Sequence, residues 1–459
     1  MEQQKNPLGY ESLPRLLRGY AIPSIVAMLV SSLYNIVDQI FIGQGVGYLG
    51  NAATNVSYPL TTICLAIALL IGVGSASGFS LSLGAGDKKK AGYFVGNAIS
   101  MMVILGVVYL GVILIFLDPL LKTFGATEEI MPYAKSYTSI TAFGMPLLII
   151  TNTMSNLIRA DGRPKYSMAC MVIGAIVNTI LDPIFIFILD LGVAGAAYAT
   201  VIGQFFSFLM AVLYIRKFQH ITLAKEHLRL RRAQCGQIAT LGMSSSLNQV
   251  AITFVQIVLN NSLTYYGAKS IYGQEIPLAA CGIVMKTNAI LLSVIIGISQ
   301  ASQPIIGFNY GAKNYPRVRG IYHLAIKCVL VISAFGFILF QCFPRQVISI
   351  FGSGDDLYFE FAVRFMRIFL FMVIVNGVQM ISSNFFSAIG KPLKGTLLSL
   401  TRQVLFLIPL LLVLPYFMGI DGILFAAPCA DTVAFLTSVF LISREFRKIR
   451  QLEARGGSR

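Results

Sequence analysis

The sequence predicts an all-α polytopic membrane protein, with twelve transmembrane helices in two parallel six-helix repeats around a central cleft. Three observations carry that expectation. The chain of 459 residues is 56% hydrophobic and only 12% charged, far more apolar sequence than one span needs. Its Lys and Arg residues fall between the apolar segments, on alternate loops. Short motifs of the first half also return in order in the second.

Hydropathy places the spans near residues 16–42, 52–82, 93–117, 132–158, 167–189, 192–215, 238–266, 277–307, 320–343, 361–388, 395–417 and 420–443. Counting the N-terminal stretch through Arg18, the termini and even-numbered loops hold 26 of the 35 Lys and Arg residues. The odd-numbered loops hold only Lys122, Lys269 and Arg345. Both termini are therefore expected in the cytoplasm of a plasma (inner) membrane protein. The net charge of +16 reads as this topology signal and not as a nucleic-acid footprint.

Other classes are excluded on similar grounds. Seven scattered cysteines without CxxC spacing argue against a disulfide framework or a zinc site. His220, His227 and His323 lack partners at ligand spacing, so no resident metal or cofactor is expected. No catalytic constellation of Ser, His or Cys is visible, and the protein is expected not to be an enzyme. The first apolar run lacks a small-residue cleavage pattern and reads as a retained helix. A monomer acting on small amphipathic molecules is expected.

The repeat has an offset of 227 to 228 residues. Gly84-Ala85 returns as Gly311-Ala312, Phe124-Gly125 as Phe351-Gly352, Gly162-Arg-Pro164 as Gly390-Lys-Pro392, and Gly192-Val-Ala-Gly195 as Gly419-Ile-Asp-Gly422. Six spans per copy is an even number, so the copies run the same way and are related by an axis along the membrane normal. This divides the chain into an N-terminal lobe (1–218), a cytoplasmic linker (219–235), a C-terminal lobe (236–447) and a cytoplasmic tail (448–459).

Function is legible where the halves differ. Asn178 and Asp182 stand four apart, on one face of an otherwise apolar span, and an intramembrane carboxylate is costly enough to mark a functional site. Their repeat partners, Leu405 and Pro409, offer no side-chain oxygen, and the partner of Thr200 is Ala427. Asp38 is the other carboxylate within a first-half span, with Asn35 one turn earlier. Asp38, Asp182 and Thr200, on three helices, fall at similar depth, which favours one coordinated site, with Asn178 beside Asp182, over separate structural contacts. Such oxygens suit a hard cation such as Na⁺, and two close carboxylates equally suit a shared proton.

The second half carries Lys286, Arg402 and Asp431 within its spans. Arg402 and Asp431 lie on adjacent helices and read as a buried structural ion pair. Lys286 has no evident partner; it either lines the cleft or snorkels into a polar pocket. Tyr34, Tyr58 and Tyr137 belong either to the cleft wall or to simple packing. Pro23 interrupts the first span and kinks it, as a static bend or as a hinge.

These residues resemble the multidrug and toxic compound extrusion (MATE) transporters along nearly the whole chain. The resemblance rests on Tyr34-Asn-Ile-Val-Asp38, Leu83-Gly-Ala-Gly-Asp87, Ala160-Asp-Gly-Arg-Pro164, Asn178 to Pro183, and Gln303-Pro-Ile-Ile-Gly-Phe-Asn-Tyr-Gly311. It is nearest to the DinF-type branch and its MepA-like members. The resemblance implies a twelve-helix antiporter that expels organic cations or other amphipathic compounds against H⁺ or Na⁺ by alternating access. It also implies coupling through Asp38, Asn178, Asp182 and Thr200, with Tyr137 nearby and Pro23 at a bend. The acids that another branch carries in its seventh and tenth helices are absent within 242–263 and 361–388. A lipid-linked oligosaccharide flippase of the same superfamily is the main alternative, and a non-transporting membrane receptor or scaffold the second.

Overall fold

The computed structural model describes residues 6–351 and 355–456. Twelve long helical columns follow one another: α1 (Leu13–Gly45), α2 (Tyr48–Gly84), α3 (Lys88–Ile115), α4 (Met131–Ala160), α5 (Pro164–Pro183, continued by a wider turn, Ile184–Ile188) and α6 (Gly192–Leu213). The second set is α7 (Arg232–Gly267), α8 (Glu275–Gly311), α9 (Tyr315–Cys342), α10 (Asp356–Phe369 and Val373–Ala388, bent by 47°), α11 (Pro392–Leu400 through a wide turn to Ile408–Met418) and α12 (Ile420–Gly456). Eleven of these are long and apolar enough to cross a membrane when α10 is taken as one span. α4 falls short of that apolarity because Thr141, Thr151, Thr153, Ser155 and Asn156 are interleaved along it, and all five are buried.

The repeat reappears as geometry. The short helix Leu117–Thr123 between α3 and α4 has its counterpart in Pro344–Phe351 between α9 and α10. Gly162 and Gly390 open the α4–α5 and α10–α11 turns with φ of 94° and 76°, a region that costs a side chain energy. Of the matched motif residues, Gly352 lies outside the described residues.

Two boundaries differ from expectation. α7 begins at Arg232, inside the expected linker, and α12 runs unbroken to Gly456, so 448–456 is helical. Residues 457–459 of the expected tail lie outside the described residues. The linker is fastened to the first half at both ends. Asn97 of α3 donates to the His227 and Arg229 carbonyls (3.1 and 3.2 Å) and accepts from Arg231 N (2.7 Å). The fully buried Asp161 accepts from Tyr214 Oη (2.7 Å), Gln219 N (2.8 Å) and His220 Nδ1 (3.0 Å). Buried backbone groups need such partners, and these two side chains supply them.

The core shows how the halves meet. One large apolar cluster joins residues of both halves, among them Leu17, Leu83, Phe94 and Leu157 with Ile238, Ile305, Phe308, Phe385 and Ile449. These lie toward the ends of α1, α2, α3, α4, α7, α8, α10 and α12 that carry the chain termini and the basic loops. Toward the other end the clusters belong to one half or the other. The halves are therefore closed together on the basic side and separate opposite it.

Candidate cation-coupling site

α1, α5 and α6 bring Asp38, Asn178, Asp182 and Thr200 into one cluster, and α4 adds Tyr137. The four-residue step between Asn178 and Asp182 puts their side chains one above the other, and Asn178 Nδ2 donates to Asp182 Oδ1 at 3.3 Å. The same amide nitrogen lies 3.3 Å from Thr200 Oγ1 on α6. The Asp38 and Asp182 carboxyls are within hydrogen-bonding reach of each other, an approach that two ionised carboxylates make only with a proton or cation between them. Tyr137 and Tyr34 both stand beside the two carboxyls.

Asp182 is 0% and Asn178 2% exposed, and three of the cluster's oxygens find no partner among the described residues: Asp38 Oδ1, Asn178 Oδ1 and Asp182 Oδ2. Buried oxygens without donors are expensive, so the cluster is chemically suited to a proton or a small hard cation. Asn35 takes another course. It is exposed, and its Nδ2 is bonded to the Ser31 carbonyl of its own helix at 2.6 Å.

Pro183 explains the wide turn beside the site. It has no N–H, so the helix loses one bond behind Asp182 and reforms with a longer step, Leu189 N bonding Ile184 O at 2.9 Å. That turn aims Ile186 across at Ile42 and Ala196, and these three form a separate buried apolar group with Phe41 and Tyr137 packed on it. Each member is four residues from a site residue: Ile42 from Asp38, Ile186 from Asp182, Ala196 from Thr200. The site is thus roofed, one helical turn away, by a seal the sequence reading missed, although the four-residue spacing was available to find it.

The MatE family model matches residues 23–184 and again 244–413, once in each half. The chain belongs to the MatE family. Among its MatE relatives, the multidrug export protein MepA of Staphylococcus haemolyticus is 26% identical over 436 residues, covering 94% of this chain and 93% of its own. An FAD transporter of Shewanella oneidensis is 25% identical over 439 residues, covering 94% of both chains. A MATE solved in a straight conformation superposes with a TM-score of 0.90 at 23% identity, covering 97% of this chain and 98% of that one. The fold expected from the sequence, and the resemblance to MATE transporters and MepA-like members, are borne out.

The remaining residues of interest sit elsewhere on the MatE scaffold. Pro23 is buried inside the unbroken α1, about 22 Å along the helix axis from Asp38 at 1.5 Å per residue. Arg402 Nε pairs with Asp431 Oδ1, both withdrawn from solvent, and Arg402 rides on the wide turn of α11. Lys286 and Tyr58 are exposed.

Proposed function

We propose that this chain is a secondary active exporter. It antiports amphipathic organic compounds against H⁺ or Na⁺ by alternating access, with both termini in the cytoplasm. The observation that carries the reading is the convergence of three unpartnered buried oxygens on the Asp38–Asp182 pair. Asp38 and Asp182 bind the coupling ion, Asn178 and Thr200 complete its surroundings, and Tyr137 stands beside them. The ion is a transported substrate here, and its binding shifts the two orientations only by its different affinity for each. The apolar roof of Ile42, Ile186 and Ala196 closes the site on one side in this state.

Counterflow of a fluorescent amphipathic dye from proteoliposomes, driven in turn by a pH gradient and a sodium gradient, tests the reading. Uphill dye movement under one gradient and not the other is the expected result. Movement under neither gradient, by protein that still binds the dye, removes the antiport reading.

A further inference from the structure

Lys286 stands where the contact between α1 and α8 opens. The Ser32 and Ser293 hydroxyls meet at 2.6 Å, and Gly297 is seated so closely on α1 that a Cβ there would lie 2.8 Å from Ile25 Cα. From Ser293 toward the start of α8, steps of three and four residues along the same face reach Ala289, Lys286, Gly282 and Ala279. All four are exposed. A lipid-facing surface carries bulky apolar side chains, whereas a Lys flanked by Ala and Gly marks a face turned to a water-filled cavity.

α7 continues the same wall. Gly242 is packed on α2, where a Cβ would lie 2.6 Å from Leu70 C, and its face runs on through Ser246, Gln249, Thr253, Gln256 and Asn260. Every step is polar, all five residues are half-buried, and Gln256 Nε2 donates to Asn260 Oδ1 at 2.9 Å. Asn35 of α1 is exposed on the face that carries Ser32.

The charge on this wall is uncompensated. Among the described residues, the second half pairs Arg319 with Glu453, Arg345 with Asp356, Arg364 with Asp421, Lys391 and Lys394 with Glu445, and Arg402 with Asp431. Lys286 is in none of these pairs. The nearest carboxylate on its own face, Glu275, is three turns away, about 16 Å along the axis. Asp38 and Asp182 are turned to each other within the first half.

We infer that the cleft takes amphipathic compounds bearing an anionic group, a carboxylate, sulfonate or phosphate. That group docks on Lys286, and the α7 amides and hydroxyls bond the polar remainder. The inference rests on the export reading and names its substrate class. A charge-assisted contact in a half-dry cleft is strong, while a purely cationic compound meets repulsion there.

The test uses a fluorescent rhodamine with a free carboxylate and the methyl ester of the same rhodamine, so the scaffold is constant. Equilibrium binding of each dye is measured on wild type, Lys286→Gln and Lys286→Arg. The carboxylate-to-ester affinity ratio is expected to fall about tenfold or more in Lys286→Gln, the scale of one hydrogen bond to a charged group, and to be largely kept in Lys286→Arg. An equal ratio in wild type and a folded Lys286→Gln overturns the inference, as does a wild type that does not bind the carboxylate dye. Gradient-driven movement in proteoliposomes is read separately. A Lys286-dependent ratio without movement of either dye keeps the inference and removes the export reading; movement of both dyes with an unchanged ratio does the reverse.

Discussion

Gly84 of α2 and Gly311 of α8 seat each other's helices through repeat-equivalent atoms. A Cβ on Gly84 would press on the Phe308 carbonyl and lie 3.0 Å from Ala312 N; one on Gly311 would press on the Leu81 carbonyl and lie 3.1 Å from Ala85 N. Residues 81, 84 and 85 become 308, 311 and 312 on adding 227, so the contact lies on the pseudo-two-fold axis that relates the halves. Backbone against backbone leaves no flexible side chain to yield.

The first prediction follows directly. Gly84→Val and Gly311→Val each prevent closure on the basic side and shift the population toward the opposite orientation. Spin labels at the exposed positions Lys165 and Leu393 read the change, and a longer distance is expected in either variant. A folded Gly84→Val protein with the wild-type distance distribution would show that this contact does not hold the state.

The roof over the candidate site gives the second. Ile42 is 0% and Ile186 2% exposed, and truncating such a side chain to Ala leaves a cavity costing ~2–5 kcal/mol. Ile186→Ala is expected to melt lower and to pass the coupling ion without an exported compound. Ion flux into proteoliposomes at zero dye measures it. Wild-type leakage through a folded Ile186→Ala protein would mean that the apolar group does not seal the site.

Why the roof was hidden and the carboxylates were not is a matter of contrast. Asp38, Asn178 and Asp182 stand out because a polar oxygen in an apolar span is costly, and the four-residue step already places two of them together. Ile42 and Ile186 are apolar residues among apolar residues, and nothing in their chemistry separates a seal from a lipid-facing position. The repeat was legible through Gly84, Gly162 and their partners because close backbone approach and positive φ restrict residue type. The fastening of the linker was not, since Asn97 and Arg231 are 134 residues apart and each is unremarkable alone. The wide turn after Pro183 was half legible: proline foretells a lost bond, but not how the helix reforms.

Topology supplies a third prediction, resting on the Lys and Arg bias. A Lys225→Cys variant, exposed in the linker, is expected to react with a membrane-impermeant maleimide only from the cytoplasmic face. Labelling from outside intact cells would reverse the orientation.

The fourth concerns the repeat partners of the site. Leu405 is 52% exposed on α11 and brings no oxygen, so Leu405→Ala is expected to leave ion dependence in place and act, if at all, on stability. Loss of ion dependence in a Leu405→Ala protein with normal dye binding would show that the site is not confined to the first half.

The last prediction is Asp182→Asn, which keeps the side-chain volume and removes the ability to ionise. Among the described residues Asp182 is reached by Asp38 and by Asn178 Nδ2 at 3.3 Å, and its Oδ2 is unpartnered. The Asn amide can still bond within this cluster, so folding and dye binding are expected to survive. What changes is the ion: with one member permanently neutral, the pair no longer binds a proton or cation differently in the two orientations. The coupling free energy, typically on the order of 1–3 kcal/mol for such linked sites, is expected to vanish. Uphill efflux should fall to the downhill rate while equilibrium dye affinity holds. A structural Asp182 predicts the opposite order of damage, with melting temperature and expression falling before coupling is touched. Gradient-driven efflux, dye binding and melting temperature on one preparation separate the two, and wild-type uphill efflux from well-folded Asp182→Asn protein would take Asp182 out of the coupling mechanism.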